Sequence, residues 1–152
     1  MDWRAVLAGV GASVAYLLLL AGFPGTETVR LGGVPLVLAT GLIAGATAGR
    51  LAPSARVGGW HGLCSGSLAG GLFAGSFWYL LALPARPPGV YYGLNYLLAV
   101  SAGQFPVVAT HGPLVVALLA GVGWAGIAVC GLYAGTRAPQ RHGGFIDPGH
   151  PR

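Results

Sequence analysis

The chain has 152 residues, 55% of them hydrophobic and only 7% charged: eight arginines, no lysine and three acids, for a formal net charge of +5. A soluble domain carries about a quarter charged residues, so a water-facing globule is excluded and the chain reads as a membrane protein. The arginines are scattered singly among apolar runs and form no basic stripe, which excludes a nucleic-acid partner.

Taken in chain order, the first apolar run is AVLAGVGASVAYLLLLAG, residues 5–22, ended by Phe23-Pro24-Gly25. It is long enough to cross a bilayer. Leu17–Leu20 followed by Phe-Pro-Gly is not a small-residue cleavage site, so the run is expected to stay as a span and not to be removed as a signal peptide. A second span is expected over 31–49, with Pro35 in its first turn, where a missing N–H does little harm. A third runs over 57–84, long enough to span with tilt, and a fourth over 114–135, closed by Thr136-Arg137.

Between the third and fourth lies 90–110, VYYGLNYLLAVSAGQFPVVAT, uncharged but interrupted by Asn95, Gln104 and Pro106. The arginines decide between the possible topologies. Four spans with the N-terminus inside place Arg4, Arg50, Arg56, Arg137, Arg141 and Arg152 in the cytoplasm and only Arg30 and Arg86 outside. A fifth span gives a weaker split in either orientation, so the positive-inside rule favours four. The expected fold class is therefore all-α: a polytopic α-helical membrane protein with four transmembrane helices over 1–137. An outer interfacial or re-entrant helix over 90–110 and a flexible cytoplasmic tail over 138–152 complete it. The expected location is the cell membrane, multi-pass, with both termini cytoplasmic.

Glycine recurs at four-residue intervals within the spans. Gly58, Gly62, Gly66 and Gly70 form one row in the third, with Ser67, Gly71 and Gly75 beside it. The second span carries Gly41, Gly45 and Gly49; the fourth carries Ala117, Gly121 and Ala125, with Gly131 and Gly135 near its end. Lipid tails are as apolar as leucine, so membrane helices gain by close packing, which small residues allow. These rows are read as helix-packing faces; the competing reading is a glycine-lined conduit. The absence of Asp, Glu, Arg and Lys from all four spans counts against the conduit.

Three side chains carry possible chemistry. His61 and Cys64 are one turn apart near the start of the third span, and Cys130 lies at a similar distance from the end of the fourth, all about 6–10 Å into the membrane by helix rise. Such a trio suits a soft metal or a redox pair. The simpler reading is a histidine bonded to a neighbour and two cysteines acting as small hydrophobes. No cofactor is expected on that reading. His61 and His111 could ligate haem, but they lie near opposite membrane faces and cannot share one iron, which leaves two haems with other partners, or a metal, as the cofactor alternative. Trp3 and Trp60 fall at the inner boundary and Trp78, Tyr79, Tyr91 and Tyr92 at the outer one, as aromatic belts. Trp124 and Tyr16, both mid-span, are read as packing residues, the indole N–H of Trp124 seeking a carbonyl exposed by facing glycines.

The segments GLIAGATAGRLAPS, ARVGGWHGLCSGSLAGG and CGLYAGTR, which close the second span, open the third and close the fourth, resemble small glycine-rich four-span membrane proteins of unknown function from halophilic archaea. The resemblance implies the same four-span architecture and transfers no catalytic residue. The leading functional expectation is a non-catalytic structural or accessory subunit. Its partners would be the lipid bilayer and other membrane helices, in a homo-oligomer or a larger membrane complex. The alternatives are a small channel or transporter with a glycine-lined interface, and a membrane redox or metal-binding subunit resting on His61, Cys64 and Cys130.

Overall fold

The computed structural model describes residues 2–28, 32–82 and 87–138, and among them every regular element is helical. The elements are α1 (Trp3–Gly22), a 3-10 turn (Pro24–Thr28), α2 (Gly33–Arg50), α3 (Ala55–Ala82), α4 (Val90–Gln104), α5 (Pro106–Thr110) and α6 (Gly112–Arg137). α1, α2 and α6 are each long and apolar enough to cross a membrane. α3 is the longest helix, at 28 residues. Its glycines, serines and His61 dilute the apolar content that the other three keep.

Local chemistry sets the helix ends. The Asp2 carboxylate accepts from the Arg4 N–H at 2.9 Å and so caps α1, satisfying one of the donors that a helix start leaves open. Pro24 stops α1, and the Thr26 hydroxyl, 2.7 Å from both Leu20 O and Phe23 O, takes up carbonyls freed at that end. The expected single helix over 90–110 is in fact two. Pro106 has no N–H to continue the ladder, and Phe105 before it is extended, with φ −122° and ψ 106°. Of the expected tail, only Ala138 is described; 139–152, Arg30, Leu31 and 83–86 lie outside the described residues.

Four long helices alternate in direction. Gly9 and Ser13 of α1 lie beside Ala44 and Thr40 of α2, so those two are antiparallel. Gly41, Gly45 and Gly49 of α2 meet Ile127, Gly131 and Gly135 of α6 in rising order, so these two are parallel. α3 runs antiparallel to both. The α3–α6 and α2–α6 interfaces are the most extensive; α1 packs on α2 and α3, on the far side from α6. The start of α1, the α2–α3 connection and the end of α6 thus share one end of the bundle.

At the other end larger side chains replace glycine. Phe73 and Phe77 of α3 stack with centroids 5.7 Å apart, and Tyr91 of α4 stacks on Phe73 at 5.9 Å. Leu17, Leu20, Val37 and Val90 belong to the same cluster. α4 enters it through Gly89, whose φ of 54° is left-handed. A Cβ there would overlap the carbonyl oxygen of Leu20, so the position requires glycine on two counts.

Candidate helix-packing interface and buried polar seam

The glycine rows meet in three layers between α2, α3 and α6. Gly49, Gly58 and Gly135 form the first, Gly45, Gly62 and Gly131 the second, and Gly41, Gly66 and Ile127 the third. A Cβ added at Gly45 or Gly62 would overlap the carbonyl oxygen of Gly131, and one at Gly41 that of Ile127. At Gly49 it would stand 2.6 Å from Gly135 O, and at Gly66 3.0 Å from Ile127 O. Backbone therefore touches backbone, and no gap runs along this seam. Gly70 closes the α3 row against the main chain of Trp124, whose indole Nε1–H donates to Ser67 O at 2.9 Å.

Gly121 is placed otherwise. A Cβ there would meet nothing within 4 Å, and Ala117 and Ala125 are exposed with it. The row on α6 that packs is 127, 131, 135, about a half-turn away, because α2 and α3 both lie on that side. The expectation that Gly121 is a packing residue of the bundle is corrected accordingly. Gly71 and Gly75 of α3 also face open space. Gly59, near the start of α3, meets Leu132 and Thr136 of α6 instead. Small residues are thus exposed in two places, on the outside of α3 at Gly71 and Gly75 and on the outside of α6 at Ala117, Gly121 and Ala125.

His61, Cys64 and Cys130 do not converge. Cys130 stands on the α6 face turned to α2, with its Cβ against Gly41. Gly62 and Gly66 face α6, so position 64, some 200° of helical rotation from each, is turned away from it. Among the described residues no three side chains of metal-binding type are grouped. His61 is only 2% exposed and faces α1, where its Nε2 accepts the backbone N–H of Asp2 at 3.1 Å. That bond fixes the neutral tautomer with hydrogen on Nδ1, and Nδ1 has no partner.

Sequence reasoning missed the polar residues that share this seam. Ser65, one turn after His61, is fully buried and donates to Gly62 O at 3.2 Å. Ser13 of α1 lies 3.0 Å from Gly9 O and 3.1 Å from Thr40 O, and its single proton serves both carbonyls. Thr40 is buried with its own Oγ1 unpartnered. The legible signal was Ser65 four residues after His61, which puts both on one helix face. Tyr91 also departs from expectation. It is 4% exposed, bonded to Ser76 Oγ at 2.8 Å, and belongs to the aromatic stack, not to an interfacial belt.

Comparison of the chain with protein-family models, with curated proteins and with solved structures returns no match.

Proposed function

We propose that the chain is a non-catalytic integral membrane protein, a structural or accessory subunit that crosses the bilayer four times with both ends cytoplasmic and receives a helix of a membrane partner. One observation carries this reading: small residues exposed on the outside of two helices, Gly71 and Gly75 of α3 and Ala117, Gly121 and Ala125 of α6. Small residues that face lipid forgo the van der Waals contact that a larger side chain would make there, and they suit a helix that approaches closely. The internal glycine layers use none of these residues.

The alternative, a channel along the glycine rows, would need α6 to leave α2 and α3, since those rows are in backbone contact. The subunit reading is tested by leucine at these exposed glycines. Gly71→Leu and Gly121→Leu should leave the isolated chain as stable as before and remove the partner, or the second copy, from mild-detergent complexes. If both variants keep the same mass in native mass spectrometry, these exposed glycines receive no helix.

A further inference from the structure

α2 and α6 touch through backbone at 41–49 and 127–135 and then diverge, and α4 crosses the gap that opens between them. A cavity of about 460 Å³ remains there. Its walls come from four helices: Val37 and Leu38 of α2, Phe77 of α3, Leu97 and Ser101 of α4, and Leu119 of α6. Gly123 and Gly126 of α6, close against the side chains of Phe73 and Leu38, complete the α6 wall. The volume falls within the range of small-ligand sites, about 300–1,000 Å³.

We propose that this cavity binds one hydrocarbon chain of a membrane lipid, inserted between α2 and α6 beneath α4. The lining chemistry selects that occupant. No charged side chain borders the space, and its one polar side chain, Ser101, already donates to Leu97 O at 2.8 Å on its own helix. A water needs two to four polar partners, and a headgroup needs charge or hydrogen bonds; the walls supply neither. The cavity lies between two helices that are each apolar enough to cross a membrane, at the depth where lipid chains are the solvent. Bound there, a chain packs against Leu38, Leu97 and Phe77 on the sides that the diverging helices leave bare. The site depends on α2 and α6 lying in a bilayer and not on the exposed glycines proposed to receive a partner helix.

The test is photolabelling of the whole protein in vesicles of phosphatidylcholine carrying a diazirine in one acyl chain, with adducts mapped by mass spectrometry. Leu18 and Leu19 of α1, 67% and 69% exposed, report ordinary lipid contact. Adducts at Leu97, Ser101 and Leu119 are expected several-fold above those at Leu18 and Leu19, and the ratio should hold when phosphatidylglycerol replaces phosphatidylcholine. Ser101→Phe fills the space and should lower the cavity adducts several-fold with α1 labelling unchanged. Labelling that follows exposure alone, or that depends on the headgroup, overturns the proposal even if Ser101→Phe does not fold. Retention of cavity adducts in a folded Ser101→Phe protein overturns it too. Loss of a protein partner in the Gly71→Leu or Gly121→Leu variant leaves these adducts in place, which separates the two readings.

Discussion

The second glycine layer gives the sharpest test of how the bundle is held. In Gly62→Ala the new methyl would overlap Gly131 O, and it would lie 3.1 Å from both Gly131 C and Gly135 Cα. Every one of these atoms is backbone, so none can rotate away, and the two helices must separate by about 1 Å to reach ordinary contact. A gap of that size forfeits a quarter to a half of the dispersion energy at each contact along the interface. α3–α6 is the most extensive interface among the described helices. Overpacking of this kind costs roughly 1–3 kcal/mol, and the spread along a whole interface places Gly62→Ala at or above the upper end.

At Gly66 the same methyl meets Ile127 O at 3.0 Å, so Gly66→Ala requires only a few tenths of an ångström and should be mild, whereas Gly66→Leu should be severe. Gly71→Ala meets nothing and is the control; by helix propensity it is neutral or stabilising by up to about 1 kcal/mol. Because Gly62 and Gly131 share one contact, Gly62→Ala with Gly131→Ala should lose less than the sum of the single losses. Thermal unfolding in detergent, followed by size-exclusion chromatography of heated samples, reads the series. A Gly62→Ala protein as stable as Gly71→Ala would refute backbone contact in this layer.

His61→Ala removes the acceptor for the Asp2 N–H, so about 1 kcal/mol of anchoring should go and amide exchange over residues 2–6 should quicken; unchanged protection would show that the bond does not hold the start of α1. Gly89→Ala combines a left-handed backbone with a clash on Leu20 O, and it should destabilise the protein by at least about 1–2 kcal/mol in the same melting assay. A wild-type melting curve for that variant would mean α4 does not enter the bundle through this turn. In a background with Cys64 and Cys130 replaced, single cysteines at 54 and 140 should resist an impermeant thiol reagent in intact cells while one at 27 reacts. Labelling at 140 would require an odd number of crossings.

Much of this architecture is legible in the residue order. The four apolar runs at 5–22, 31–49, 57–84 and 114–135 foretell α1, α2, α3 and α6 with ends that differ by only a few residues where both are described, because helix length and apolarity are properties of the run itself. The rows 41–45–49 and 58–62–66–70 are visible for the same reason: a period of four on one helix is local information. Proline likewise marks the break at Phe105 locally, although a single helix was expected across it.

Tertiary structure decided which small residues are used and what the polar ones face. α6 carries two small-residue rows, and nothing in its own sequence distinguishes 117–121–125 from the side bearing Gly131 and Gly135. α2 and α3 both pack on the second side, so Gly121 is left in the open. His61, Cys64 and Cys130 share a depth by arithmetic, yet they point to different neighbours, because depth follows from position along a helix while direction follows from its rotation in the bundle. Ser13, Thr40 and Ser65 come together for the same reason, across three helices that only packing brings side by side. A helix's length and periodicity are written within it; the choice of its buried face depends on backbones far away in sequence, and close contact between glycines is energetically meaningful only once both are present.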